Sequence, residues 1–376
     1  MRVLIDAHTF SVDQPTGVSL YIRNLLHALS EIDEENEYTV LVNALRRDYS
    51  ERILGTFAGL GGNFELELSD FPSGLNRRLR DWLWYGLYLP HRVRRADVDV
   101  LFCPDFVVPR HVAIPVVATV HDLCPILFPE FSDRSIWYAP QGQIGRSIAN
   151  ANFVITDSEC VRGAILRIFG VAGEKAVTVH LAADSRFRKM PARAAREKMA
   201  EKYGVWPPFA FCVGSRNPRK NVNRLLAAFE LARRDGRVQH ELVMAGPDTG
   251  AGAPVAGGVR SIGYVPVDDL VQLYNAADFF LLPSRYEGFG IPIVEAMRCG
   301  APVLTSDRGA MEEVAGDAAV LVDPSSVPAL AEGIIQLATG AGLRKRLRSK
   351  GLKRAEMFSW HKAAKETLAV LQGAAR

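Results

Sequence analysis

Short, nearly unbroken apolar runs alternate with amphipathic stretches along most of this chain, and the alternation occurs twice. Met1–Asp6 reads as a buried strand. Gly17–Ser30 then reads as a helix, because Val18, Tyr21, Ile22, Leu25, Leu26 and Leu29 recur at the i, i+3, i+4 spacing of one buried face. Tyr38–Asn43, Asn63–Leu68, Val98–Phe102, Val116–Val120 and Phe153–Thr156 read as further strands. A strand that is apolar throughout is buried on both faces, which is the condition of a parallel sheet covered by crossover helices. A basic, Ala-rich stretch around 184–203 and the turn Trp206-Pro207-Pro208 interrupt the pattern. A second series follows, at Phe209–Val213, Glu241–Ala245, Phe279–Leu282, Val303–Thr305 and Ala319–Val322. The spacing predicts an α/β chain of two doubly wound domains, 1–190 and 191–357, facing across a cleft, with an amphipathic helix Phe358–Gln372 after the second. A length of 376 residues suits two such domains.

Composition narrows the function classes. With 45 Lys+Arg against 42 Asp+Glu, the net charge of +3 gives no reason to expect a nucleic-acid partner. Cys103, Cys124, Cys160, Cys212 and Cys299 form no CxxC pattern, and an odd number of scattered thiols fits a reducing compartment. MRVLID at the start has no signal-peptide profile, and no apolar stretch approaches the roughly 18 residues of a membrane span. A cytoplasmic location is expected, with room for contact at a membrane surface. Residues 344–354 carry seven Lys or Arg and read as a solvated helix face.

Two local signals fail on physical grounds. GTFAGLGG at 55–62 resembles a phosphate loop, but it precedes the strand-like Asn63–Leu68, whereas a phosphate loop must open a helix. Asp97-Val98-Asp99 resembles a metal-holding DxD, yet the apolar run comes after it, so both aspartates are expected at a strand entrance. With no His/Cys cluster at zinc spacing, neither a metal nor another cofactor is expected.

Three segments carry chemistry. PSRYEGFGIPIVEAMRCG at 283–300 follows a buried run; Ser284 is its second residue, Gly288 and Gly290 allow close approach to the backbone, and Ile291 and Pro292 open a helix that Gly300 ends. Free amides at such a helix start bind anions. Glu287 and Glu295 beside an anion site make sense if each accepts hydrogen bonds from hydroxyls flanking a diphosphate. VGSRNPRKN at 213–221 also joins a strand to a helix, and sets Arg216, Arg219 and Lys220 where cations oppose the helix dipole. An anion resolves that conflict. Breaking a sugar–phosphate bond takes a nucleoside diphosphate from about −2 to −3, which two cations and a helix end of roughly +0.5 could largely offset. ATVHDLCP at 118–125 puts His121 at the carboxyl end of a first-domain strand.

Together these segments resemble glycosyltransferase family 4, the retaining nucleotide-sugar transferases of the GT-B fold, in which both domains are Rossmann-like. The family's Glu, seven residues, Glu signature is matched by Glu287 and Glu295, its PRKN element by Pro218–Asn221 and its HDL element by His121–Leu123. Thr16–Leu29, Gly263–Ser284, Glu312–Pro324, Ser158–Cys160 and Phe358–Trp360 extend the match almost end to end. The resemblance implies that Glu295 holds donor ribose hydroxyls. Glu287 would hold a hydroxyl of the donor sugar, with the amides of Gly288, Phe289 and Gly290 nearby. Lys220 and an arginine would neutralise the diphosphate, beside the strand-end loop of Gly214 and Ser215. Gly17 would approach the phosphate from the acceptor-side first domain, and His121 would lie near the reaction centre. Tyr264 and Val265 would contact the base through backbone, and the helix within 358–376 would cross back to the first domain. Many members carry arginine where this chain has Ser215, so the second cation falls to Arg219 or Arg216, with Arg219 preferred because it adjoins Lys220. The chain is most similar to bacterial mannosyltransferase-type members, which implies GDP-mannose as donor and a saccharide acceptor, lipid-linked, in O-antigen or surface polysaccharide synthesis.

Residues 77–95 contain six Arg and one Asp interleaved with Trp82, Trp84, Tyr85 and Tyr88. Such a stretch can lie on an anionic membrane, or pack its aromatics beneath the sheet with arginines in solvent. Two other functions share the architecture: a nucleotide-sugar 2-epimerase, which needs no acceptor, and an inactive donor-binding scaffold.

Overall fold

A computed structural model describes residues 1–10, 16–43, 47–69, 71, 77–131, 140–215, 217–247, 254–255 and 257–376. Among these, fourteen strands form two seven-stranded sheets. The first contains β1 (Arg2–Asp6), β2 (Glu37–Asn43), β3 (Phe64–Ser69), β4 (Val100–Cys103), β5 (Val116–Val120), β6 (Phe153–Thr156) and β7 (Ala176–Thr178). The second contains β8 (Phe209–Val213), β9 (Glu241–Ala245), β10 (Pro254–Val255), β11 (Val259–Gly263), β12 (Phe279–Leu282), β13 (Val303–Ser306) and β14 (Ala319–Val322). The order is β3-β2-β1-β4-β5-β6-β7 in one and β10-β11-β9-β8-β12-β13-β14 in the other. Every pairing is parallel except β10 with β11.

The apolar runs became strands because both faces of each sheet are covered. Val3, Leu4 and Ile5 of β1 and Phe279, Phe280 and Leu281 of β12 are fully buried. Each such side chain contributes about 1.5–3 kcal/mol on leaving water. The short β7 and the polar-interrupted β11 have no comparable run and give little sequence signal. The order in which successive strands are added reverses between β1 and β4 in the first sheet and between β8 and β12 in the second, while the strands stay parallel. Ligands on doubly wound sheets bind at the carboxyl ends beside such reversals.

The chain divides into Met1–Leu181 with Trp360–Arg376, and Ala182–Ser359. The division falls at Leu181, not near residue 190. Residues 182–190 already belong to the second unit: Arg298 Nε donates to Phe187 O (3.1 Å), Asn275 Nδ2 donates to Arg188 O (3.0 Å), and Met190 N donates to Asn275 Oδ1 (2.7 Å). The basic stretch that suggested a boundary is instead the helix Ala192–Tyr203. The last helix, Trp360–Ala374, packs on the helix Gly17–Ile32, with His361 Nε2 2.8 Å from Glu31 Oε2.

Two sequence features take definite places. Asp97 and Asp99 sit at the amino ends of the strands, where both pair with Arg2 and Asp99 accepts the Arg2 amide at 2.7 Å. The basic run 344–354 is more than a solvated face. Arg344 donates to the carbonyls of Leu337 and Ala338 at the end of the helix Val327–Thr339. Arg348 donates to Gly300 O at 2.8 Å, beyond the helix Ile291–Arg298. Arg354 donates to Glu313 O and Val314 O at the end of the helix Gly309–Ala315. Cations are favourable at helix carboxyl ends, and these satisfy carbonyls that have no partner within their own helix.

Candidate functional site

In the second unit, the turn after β8 is shaped by two asparagines. Asn217 Oδ1 accepts the Arg219 amide at 2.9 Å and starts the single 3-10 turn Pro218–Lys220. Asn221 takes the left-handed conformation (φ 61°), which asparagine tolerates better than most residues. Its buried amide donates to Pro283 O (3.0 Å) and Pro324 O (2.7 Å). The turn is thereby fastened to the loops after β12 and β14, and Arg285 N donates to Arg219 O at 2.8 Å.

This fastening aims two cations at one carboxylate. Arg219 Nη1 lies 2.7 Å from Glu287 Oε2, and Lys220 Nζ lies 2.8 Å from Glu287 Oε1. Glu287 is only 6% exposed. Burial pushes its carboxyl up, but the charges of Lys220 and Arg219 hold it below the ordinary carboxylate range. The three charges sum to +1, so the cluster retains an excess positive charge that favours an anion. Arg216, the other arginine considered for this role, lies outside the described residues. Ser215 accepts the Asn217 amide at 3.4 Å.

Glycines bring backbones close together at the carboxyl edge of the same sheet. Gly214 N donates to Ala245 O (3.0 Å) and Gly246 N to Gly263 O (2.8 Å). A Cβ on Gly246, whose φ is 148°, would stand 1.9 Å from Gly214 O. At the end of β11, Tyr264 is 69% exposed and Val265 is buried. In the loop after β12, Ser284 is fully buried and its carbonyl accepts Ser306 Oγ. Gly290 adopts φ 101° and opens the helix Ile291–Arg298 with Pro292 in its first turn. Phe289 anchors the loop edge-on against Phe358, at 5.5 Å between centroids.

Glu295, in that helix, receives the Tyr274 hydroxyl at Oε2 (3.0 Å). Burial raises its carboxyl to about 7, with Asp184 adding to the rise, while Tyr274 and Lys220 act in the opposite sense. Lys220 therefore acts on both glutamates.

In the first unit, Gly17 opens its helix behind the N-cap Thr16, whose hydroxyl accepts the Ser19 amide at 3.2 Å. A Cβ on Gly17 would meet no atom within 4 Å among the described residues. His121 follows β5, with Nδ1 2.9 Å from Asp157 Oδ2 and Nε2 3.0 Å from Pro104 O. A carbonyl oxygen only accepts, so Nε2 carries hydrogen, and the Asp157 carboxylate facing Nδ1 favours a second N–H there, that is, the imidazolium. Burial alone would lower its pKa, but Asp157, with help from Asp105 and Pro104, raises it to about 9. Burial pushes the Asp157 carboxyl up, and the adjacent His121 opposes that rise. Tyr21 packs edge-on against His121 (4.7 Å between centroids) and hydrogen-bonds Thr119.

The sequence reading missed Asp157 and Tyr274, and also Asp6 and His8. Asp157 directly precedes Ser158–Cys160 at the end of β6, and that position beside the end of β5 was the available signal. Asp6 ends β1; its carboxylate accepts Trp84 Nε1 (3.2 Å) and pairs with His8 Nδ1 (3.0 Å), with His8 stacked on Trp84.

The chain matches the sequence model described as Glycosyltransferase Family 4 over residues 15–187 and that described as Glycosyl transferases group 1 over residues 196–354. It is 32% identical over 305 residues to O-antigen chain mannosyltransferase B of Escherichia coli, covering 78% of this chain and 74% of that protein. It is 28% identical over 265 residues to the serotype-specific mannosyltransferase WbdA of Escherichia coli, covering 66% of this chain but only 32% of the longer WbdA. Among solved structures, HepE of Anabaena, in complex with UDP and glucose, has TM-score 0.74 at 18% identity over 99% of this chain and 100% of that one. Sucrose-phosphate synthase from Thermosynechococcus elongatus has TM-score 0.77 at 16% identity over 99% and 98%. These likenesses show the GT-B fold of two Rossmann-like domains.

Proposed function

Because this chain belongs to glycosyltransferase family 4, we propose that it transfers mannose from GDP-mannose to a lipid-linked saccharide, with retention of anomeric configuration and without a metal ion or other cofactor. The observation that carries this reading is the bridge of Arg219 and Lys220 on buried Glu287. Two cations held at fixed positions can stabilise a departing diphosphate without rearranging. Mannose is supported by the names of the Escherichia coli relatives.

In the proposed reaction the bond from the sugar's anomeric carbon to the β-phosphate oxygen breaks. The acceptor oxygen bonds to that carbon from the same face, and the acceptor's proton passes to the departing phosphate. Arg219 and Lys220 neutralise the diphosphate, helped by the Gly214–Ser215 loop. Each Glu287 oxygen has a second lone pair, leaving room for a sugar hydroxyl. The amides of Gly288, Phe289, Gly290 and Ile291 and the Ser284 loop line the donor. Glu295 accepts the ribose hydroxyls, Tyr264 and Val265 meet the base through backbone, and Gly17 gives phosphate access to its helix start. His121, with both nitrogens committed, acts as a fixed positive charge near the sugar, not as a base.

The acceptor reading includes peripheral membrane contact through residues 77–95 on the cytoplasmic face. Among the described residues no helix is long and apolar enough to cross a membrane. Trp84 and Tyr85 are buried, but Leu79, Trp82 and Leu87 are exposed, and Leu83, Leu87, Tyr88, His91 and Arg94 line an apolar groove with Phe71.

The test is to incubate the protein with GDP-mannose, UDP-glucose and related donors, with and without a mannose-terminated acceptor and with a chelator present. We expect an α-linked product from GDP-mannose, formed in the chelator and only with acceptor. Conversion of free donor to its 2-epimer, or no turnover with any donor, would overturn the proposal.

A further inference from the structure

We infer that Tyr274 is a positioning residue for donor recognition: its hydroxyl, donated to Oε2 of Glu295, orients the carboxyl group so that Oε1 meets the ribose hydroxyls. This rests on the reading of Glu295 as the ribose-binding group.

The geometry is specific. Tyr274 lies in the last turn of the helix Val267–Ala276 and is fully buried. Its ring is met by Phe211 of β8 (5.3 Å), Phe280 of β12 (5.1 Å) and Phe187 of the segment entering this unit (5.9 Å), all at steep interplanar angles. Three rings from three separate elements leave the phenol one orientation. In an otherwise phenylalanine cluster, packing alone gives no reason for a hydroxyl, and a buried one needs a partner. That partner is a carboxylate on another helix, Ile291–Arg298, whose side chain has three rotatable bonds and is only partly buried. A single donated hydrogen bond from a ring that cannot move removes most of that freedom. It also commits one oxygen to the protein and leaves the other for a ligand. Lys220 acts on the same carboxyl from the diphosphate side. Ribose and diphosphate recognition therefore meet at Glu295, and Tyr274 sets the ribose half.

The test compares affinities of GDP and UDP with those of their 2′-deoxy and 3′-deoxy counterparts, and of inorganic pyrophosphate, in the wild type, Tyr274→Phe and Glu295→Ala. A lost hydrogen bond to a ribose hydroxyl costs about 3–10-fold. We expect the wild type to prefer the ribose form by that factor. We expect Glu295→Ala to abolish the preference and Tyr274→Phe to reduce it to about twofold or less, with pyrophosphate affinity unchanged. The Tyr274 hydrogen bond favours the ionised carboxyl, so nucleotide affinity should change with pH at a higher value in Tyr274→Phe than in the wild type. A merely structural tyrosine would move neither the ratio nor the profile. If Glu295→Ala abolishes the preference while Tyr274→Phe keeps both the wild-type ratio and profile, the inference about Tyr274 fails and the reading of Glu295 stands. If Glu295→Ala keeps the preference, the reading of Glu295 fails and the inference goes with it. Equal weakening of nucleotides and pyrophosphate in Tyr274→Phe would also overturn the inference.

Discussion

Asp157 holds His121 as a charge: the carboxylate takes one imidazole nitrogen at 2.9 Å while the Pro104 carbonyl takes the other. A histidine at a strand end suggests a base by its position, yet neither nitrogen has a lone pair free. A fixed imidazolium contributes an electrostatic field, and its own protonation becomes part of the stability of the fold.

The sign of that contribution follows from linkage. His121 rises from 6.5 to about 9 in the folded protein, so the native state binds the extra proton. Its stabilisation is complete below about pH 6.5 and is lost as pH rises through 9. We expect the urea midpoint to fall between pH 6.5 and 9, and to fall less in His121→Asn and in Asp157→Asn. Parallel pH profiles in all three proteins would refute the imidazolium.

Removing either end of the Lys220–Glu287 pair should impair turnover. Charge-assisted contacts contribute roughly 1.5–3 kcal/mol, so Lys220→Ala and Glu287→Ala should each lower turnover at least about tenfold. Glu287→Ala also leaves two cations without their shared counter-ion and should lower the melting temperature more than Lys220→Ala. The depressed Glu287 carboxyl stabilises the fold above the ordinary carboxylate range, and that part is lost as pH falls below it. Full activity in both variants would remove the site assignment.

Glu295 should make donor affinity depend on pH near neutrality. With its carboxyl raised to about 7, it is protonated in acid and accepts hydroxyl hydrogen bonds fully only above that value. Donor KM should fall from pH 6 to pH 8, and Glu295→Gln should flatten the profile. The raised value also means that this residue's contribution to stability declines as pH rises from about 4.5 through 7. A wild-type KM that is constant across the range would count against the ribose role.

Two glycines should respond oppositely to alanine. Gly246→Ala drives a methyl into the Gly214 carbonyl and should destabilise the second unit by about 3 kcal/mol or more, read as a lost or lowered melting transition. Gly17→Ala meets open space among the described residues and should leave the melting temperature unchanged or slightly raised. If a phosphate approaches that backbone, Gly17→Ala should nonetheless raise donor KM several-fold. Unchanged kinetics would exclude the close approach.

Flotation with vesicles containing anionic lipid tests the membrane proposal. Binding at low salt that weakens at high salt is expected, since surface cations contribute about 1 kcal/mol each and are screened. Trp82→Ser with Leu87→Ser should reduce it without altering turnover on a soluble acceptor. Failure of the wild type to float at low salt would end the proposal.

Much of the fold was legible in the chain. Runs such as Val116–Val120 and Phe279–Leu282 are strands because continuous apolarity survives only where both faces are covered. The loops after β8 and β12 announced themselves through glycines, cations and glutamates next to such runs. Less legible were β7 and β11, which have no uniform apolar run, and the boundary at Leu181, which no composition shift marks. The basic run 344–354 was misread because helix carboxyl ends far away in sequence, at Gly300 and Val314, supply its acceptors.

By itself the sequence determined the two parallel α/β sheets and the loops that carry the chemistry, since hydrophobic periodicity and turn residues act between near neighbours. Tertiary structure alone decided the state of those groups. Arg219 and Lys220 meet Glu287 across almost seventy positions, Tyr274 meets Glu295 between two helices, and His121 becomes a cation only where β4 and β6 bring it Pro104 and Asp157. Burial and charge pairing between distant segments set protonation and orientation, and no local pattern encodes either.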